Sequence, residues 1–220
     1  MMKNVGCAIA AFALLSAASG LAQAQDGVVL DYTKRSFRDA EPAVAAADKT
    51  RVASALTSVP SDAVKALGKD LVLLGQAKGK SPKAGDVDFF LLSQKRPVAA
   101  EPFPKAAAQV ILVLKGKDVV GTYVIPAERQ YARLIGAVDI DGDNASEVLL
   151  EGSGYNMGQL IMAVDAVKLE ANGTTRVAQS IPEVYADSCE NPVGKKTRSA
   201  KTISLRGGKL VEAVHPEKCG

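Results

Sequence analysis

The sequence predicts a mainly β protein of antiparallel strands and hairpins with a small helical N-terminal portion, α+β overall. Three observations carry that expectation. From Asp86 onward, short apolar runs such as Val110–Lys115 and Val119–Ile125 are separated by turn-forming residues. Two of those turns, Gly116-Lys117-Asp118 and Gly207-Gly208, stand between apolar runs at hairpin spacing. Before residue 80, in contrast, the alanine-rich stretch Glu41–Leu56 carries Pro42 where a first helical turn accepts it.

Taken in order, residues 1–24 read as a cleavable secretory signal peptide. Lys3 supplies the positive start, Val5–Leu15 the short apolar core, and Ala22-Gln23-Ala24 the small-residue cleavage site. The competing reading is a retained anchor. A spanning helix wants about 20 strongly apolar residues, whereas this stretch is rich in alanine and broken by Ser16, Ser19 and Gly20. Export places the mature chain in the periplasm or outside the cell. No later apolar run reaches spanning length, so no membrane span is expected after cleavage. With Lys3 removed, 26 basic residues face 24 acidic ones over 196 residues. A near-neutral chain with no basic patch, cut from a sequence that holds five Phe and five Tyr in all, is not built to grip nucleic acid.

Residues 25–80 form the expected mixed and helical portion: a β-like run at Val28–Tyr32, a helix over Glu41–Leu56, and a shorter one over Ser61–Leu67 with Ser61 as cap and Gly68 as stop. Lys78–Gly85, rich in Lys, Gly and Pro, reads as a surface linker. Residues 81–220 form the expected β-rich domain, with strands at Val87–Leu92, Val110–Lys115, Val119–Ile125, Leu134–Val138 and Val148–Leu150. Gly152–Gly158 reads as a flexible turn. The strands Leu160–Leu169 and Thr175–Ile181 follow around Asn172-Gly173, then Lys201–Leu205 and Leu210–Val214 around Gly207-Gly208.

Cys7 leaves with the leader, and Cys189 and Cys219 remain. An even pair in an exported chain reads as one disulfide. Closing about 30 residues, it is worth roughly 3–4 kcal/mol on the chain-entropy account. Two free thiols are the alternative.

Most of the readable chemistry lies in residues 139–147, Asp-Ile-Asp-Gly-Asp-Asn-Ala-Ser-Glu. Carboxylates fall at loop positions 1, 3, 5 and 9, from Asp139, Asp141, Asp143 and Glu147, and Ala145 at position 7 offers a backbone carbonyl. Calcium takes 6–8 oxygen ligands, and this alternation aims several at one point. Without a cation the four carboxylates repel one another. An EF-hand would need Glu at position 12, where Leu150 stands in a strand-like run, so the loop belongs between strands. A solvated acidic turn with no metal is the competing reading.

The run from Val138 to Leu150 resembles the FG-GAP/VCBS-type repeat, whose core is a hairpin loop of the form D-x-D-G-D-x-x-x-D/E followed by an apolar strand. The resemblance implies a Ca2+ ion held by Asp139, Asp141, Asp143 and Glu147, with Ala145 adding its carbonyl. It covers Leu134 to Gly158 in one copy. A propeller needs at least about four blades, so one copy of the motif implies a calcium loop on a β-hairpin and does not establish a propeller.

Other candidates carry less. Tyr155, Asn156 and Gln159, beside the glycine-rich stretch, are the candidate ligand contacts, and calcium is expected to order that adjacent stretch. His215 is the single histidine and reads as a surface residue, and Glu183, Asp187 and Glu190 read as solvated charges. The functional expectation is an exported calcium-binding β-rich protein acting as a binding or structural module, its unknown ligand a protein or a carbohydrate. The competing class is an exported, carbohydrate-active hydrolase working through paired carboxylates.

Overall fold

The computed structural model describes residues 27–42, 44–59, 62–68, 70–95 and 106–219. The signal peptide and the expected cap Ser61 lie outside the described residues.

Among the described residues, eleven strands in two antiparallel sheets make the protein mainly β. Strand β1 (Gly27–Asp31) is followed by three short helices, α1 (Arg35–Arg38), α2 (Ala46–Leu56) and α3 (Asp62–Ala66). A four-stranded sheet follows from β2 (Leu71–Ser81), β3 (Gly85–Gln94), β4 (Gln109–Lys115) and β5 (Asp118–Val124), paired in chain order. The remaining strands are β6 (Arg133–Val138), β7 (Glu147–Asn156), β8 (Gln159–Leu169), β9 (Thr175–Asp187), β10 (Arg198–Arg206) and β11 (Lys209–Glu217). They form a seven-stranded sheet with β1. One edge of β10 carries β11, and the other is shared end to end by β9 and β1.

Side-chain alternation sorts the core into layers. On β3 and β4, Val87, Phe89, Leu91, Ile111 and Val113 face the large sheet, where Val148, Leu150 and Val167 meet them. The intervening Phe90, Leu92, Val110, Leu112 and Leu114 pack with Val52 and Ala55 of α2 and with Leu67. Both faces of the small sheet are therefore buried, which is why β3 and β4 read as unbroken apolar runs. Beyond the large sheet a third cluster joins Leu149, Val164 and Ala166 to Tyr32, Ile203 and Leu210.

Four segments differ from the sequence expectation. The helix expected from Glu41 begins only at Ala46, so Pro42 stands outside its first turn. Lys78–Gly85 is no linker: residues 78–81 continue β2 in register with β3, and Pro82–Ala84 make the turn, so the expected boundary at residue 80 falls inside a hairpin. Gly152–Gly158 is not a flexible turn either. Residues 152–156 belong to β7 and pair with β8, leaving Met157 and Gly158 as the turn. Strand β9 runs past Ile181 to Asp187 through an irregularity at Pro182 and Glu183, where Glu183 takes φ 52°. A proline is accommodated at such a break in the ladder.

Candidate metal centre

The β6–β7 ladder closes on the pair Val138↔Glu147, so the acidic loop spans residues 139–146 between antiparallel strands. Its backbone is folded by its own carboxylates. Asp139 accepts hydrogen bonds from the Gly142 N–H at 2.8 Å and the Asn144 N–H at 3.0 Å. Asp143 accepts from the Ala145 N–H at 2.8 Å, and Glu147 Oε2 from the Ile140 N–H at 2.8 Å. Asn144 adopts φ 64°, a conformation that Asn tolerates better than most residues.

The loop is also sewn to the other sheet. The Lys80 N–H donates to Ser146 Oγ at 2.9 Å, and the Ser146 N–H donates to the Lys80 carbonyl at 3.0 Å. Glycine at position 79 permits this approach, since a Cβ there would lie 2.7 Å from Ser146 Oγ and 2.8 Å from the Phe89 ring. The loop is thus a joint between the two sheets.

Asp139, Asp141 and Glu147 each place an oxygen within 4.8 Å of the others, a group that could hold a metal ion. Asp143 is drawn in through a residue that the sequence reading missed. Lys168 Nζ lies 2.5 Å from Asp141, 3.2 Å from Asp143 and 3.3 Å from Glu147. The β7–β8 register explains its position. Val148 pairs with Val167, so Lys168 stands one step on, beside Glu147. Lysine's place in the run Leu160–Leu169 offered a signal, but only the register names its partners.

The electrostatics follow from these contacts. Burial pushes the Glu147 carboxyl up from its ordinary value, against the Ile140 N–H and the Lys168 charge. The hydrogen bond from Lys168 holds Asp141 low despite a smaller opposing effect of burial, and the bond to Asp141 in turn raises Lys168. Three carboxylates, Asp141, Asp143 and Glu147, face the one ammonium, and Asp139 adds a fourth acidic group to the loop, so acidic groups outnumber the cation.

Other expected sites lie elsewhere. Tyr155 is 67% exposed at the far end of β7, and Asn156 and Gln159 flank the hairpin turn there. Glu147 and Asn156 are the two ends of a ten-residue strand, roughly 30 Å apart. Calcium at the loop therefore cannot order residues 152–158 by adjacency. Those residues are already ordered by the β8 ladder. His215 is exposed, its Nε2 3.0 Å from Thr202 Oγ1. Glu183 and Glu190 are exposed, whereas Asp187 accepts hydrogen bonds from Tyr185, Arg198 and the Cys189 N–H. Cys189 and Cys219 are bonded, with Cα atoms 5.5 Å apart, tying the segment after β9 to the end of β11. Among the described residues, no helix is long and apolar enough to cross a membrane.

No protein-family model matches the chain, and no curated protein or solved structure matches it at a significant level.

Proposed function

We propose that this chain is an exported calcium-binding protein, secreted or periplasmic, acting as a binding or structural module for a protein or carbohydrate ligand. Its scaffold is an antiparallel β body with a small helical N-terminal portion. The observation that carries the reading is the convergence of Asp139, Asp141 and Glu147, with oxygens within 4.8 Å of one another. The resemblance of Val138–Leu150 to an FG-GAP/VCBS-type hairpin supports it, as does the leader-like start of the sequence. Hard oxygen donors on a loop that keeps a net negative charge suit a divalent ion that accepts irregular geometry, as Ca2+ does. Because Ser146 is bonded to Lys80, calcium here braces the junction of the sheets, and the role closest to the site is structural.

Isothermal titration with CaCl2 tests this. Wild type is expected to bind one ion with the modest affinity of extracellular modules, a Kd of about 10⁻⁴–10⁻³ M. Asp141→Ala should abolish the heat. A silent wild type, or an unchanged heat in the variant, overturns the proposal.

A further inference from the structure

We propose that Lys168 is a tethered counter-cation for the acidic loop, holding the metal-free loop in shape until a divalent ion displaces its ammonium. This rests on the calcium reading above and concerns what the ion competes with.

Both oxygens of Asp139 are engaged by the Gly142 and Asn144 N–H groups, and Glu147 Oε2 is engaged by the Ile140 N–H. The other oxygens through which Asp141, Asp143 and Glu147 act are those facing Lys168: Asp141 Oδ2, Asp143 Oδ2 and Glu147 Oε1. A calcium ion needs the same atoms at about 2.3–2.6 Å. It would then stand within a few ångströms of the ammonium, where like charges repel strongly. Binding is therefore an exchange.

Lys168 can leave. Its side chain is 25% exposed and its head lies on a long flexible stem beside a cleft of about 340 Å³ between the sheets. The backbone that carries it need not move, because β8 remains paired on both sides. Exchange also improves the charge balance, since one positive charge leaves four carboxylates largely uncompensated and two compensate them better. A monovalent ion gains nothing by replacing an ammonium already covalently attached. Lys168 thus sets a threshold: the joint between the sheets holds at low calcium, and the site answers to divalent ions at higher concentration.

Calcium titration of the full chain as wild type, Lys168→Met and Lys168→Arg tests the exchange. The methionine variant keeps the stem and loses the charge. It should bind calcium at least tenfold more tightly, and its metal-free form should melt below wild type. The arginine variant keeps the charge and should bind like wild type. Calcium binding by wild type with no tightening in Lys168→Met overturns the exchange and leaves the calcium site standing. No binding by either protein overturns both. Should the methionine variant fail to fold, nitrogen-detected NMR of wild-type lysine ammonium groups decides the matter. The Lys168 signal should be protected from solvent exchange without calcium and lost at saturation. Its persistence at saturation overturns the exchange.

Discussion

At the scale of single residues, Arg133 shows how much of this structure depends on one buried charge. It is 7% exposed and makes two hydrogen bonds to the Glu151 carboxylate and three to the carbonyls of Phe37, Arg38 and Ala40. Tyr32, fully buried, donates its hydroxyl to the same Glu151 at 2.5 Å, and burial followed by the Glu151 charge drives its own pKa sharply up. Glu151→Ala would strand Arg133 without a counter-charge, so a loss of about 3–5 kcal/mol is expected in urea unfolding. Tyr32→Phe removes only one bond to that carboxylate and should cost about 1–3 kcal/mol. A near-neutral Glu151→Ala would show that the pair contributes no stability. A half-buried carboxylate, Asp187, gives a pH signature. Burial alone would raise Asp187, but the Cys189 N–H, the Tyr185 hydroxyl and the Arg198 guanidinium outweigh it and hold it below the ordinary 3.8. A carboxyl held low in the folded state stabilises fully above its unfolded value and loses that contribution as pH falls through the folded one. Asp187→Asn should thus cost about 1–2 kcal/mol at pH 7, and the gap to wild type should narrow as pH falls below the ordinary 3.8. A gap that stays constant with pH would refute the assignment. None of these partnerships was legible in the sequence. Arg133 meets carbonyls more than ninety positions away, and Asp187 reads there as one more solvated charge.

Elements were more legible than their partners, and the errors have physical causes. Strands β3 and β4 announced themselves because both of their faces are buried, one under α2 and one under the large sheet. The hairpin turns at Gly116-Lys117 and Gly207-Gly208 stand where their residues pointed. The second half of β7 was misread because Gly152 and Gly154 look like loop residues, and no local signal shows that β8 supplies a full ladder opposite them. This distinction can be tested by substituting two glycines four positions apart. Gly158 has φ 79°, and a Cβ on it would lie 2.5 Å from the Glu190 carbonyl oxygen, a backbone atom that cannot swing aside. Gly158→Ala should therefore destabilise by about 1–3 kcal/mol. Gly154 is an ordinary strand residue with nothing within 4 Å of the Cβ position. Gly154→Ala should fall within about 0.5 kcal/mol of wild type or exceed it, since alanine loses less chain entropy on folding. Equal losses at both positions in thermal or urea unfolding would contradict the strand-and-turn assignment of this hairpin.

For the whole molecule, the large sheet has its two fastenings at opposite ends. At one end the acidic loop holds the sheets together through Ser146 and Lys80, and the β10–β11 turn lies close by, with the Gly208 Cβ position 3.6 Å from the Ile140 carbonyl oxygen. At the other end the Cys189–Cys219 bridge closes a 30-residue span beside the β7–β8 turn, where Gly158 packs on Glu190 and Asn191. The sequence made each fastening visible as a local pattern: an acidic alternation, and an even pair of cysteines. It could not show that β7 and β11 run lengthwise between them, because distance along a strand becomes distance in space only once the register is known. The separation predicts energetic independence. With calcium present, Asp141→Ala removes one of the proposed loop ligands, and Cys189→Ser with Cys219→Ser removes the bridge, which is worth roughly 3–4 kcal/mol for a loop of this length. Sites about 30 Å apart with no shared partner should add, so the combined protein should lose the sum of the two costs within about 0.5 kcal/mol. Urea unfolding of the four proteins, read by both fluorescence and circular dichroism to confirm a single transition, measures that sum. A coupling well above 0.5 kcal/mol would mean that the sheets pass strain from one end to the other, and the acidic loop would then act on the disulfide end through the strands between them.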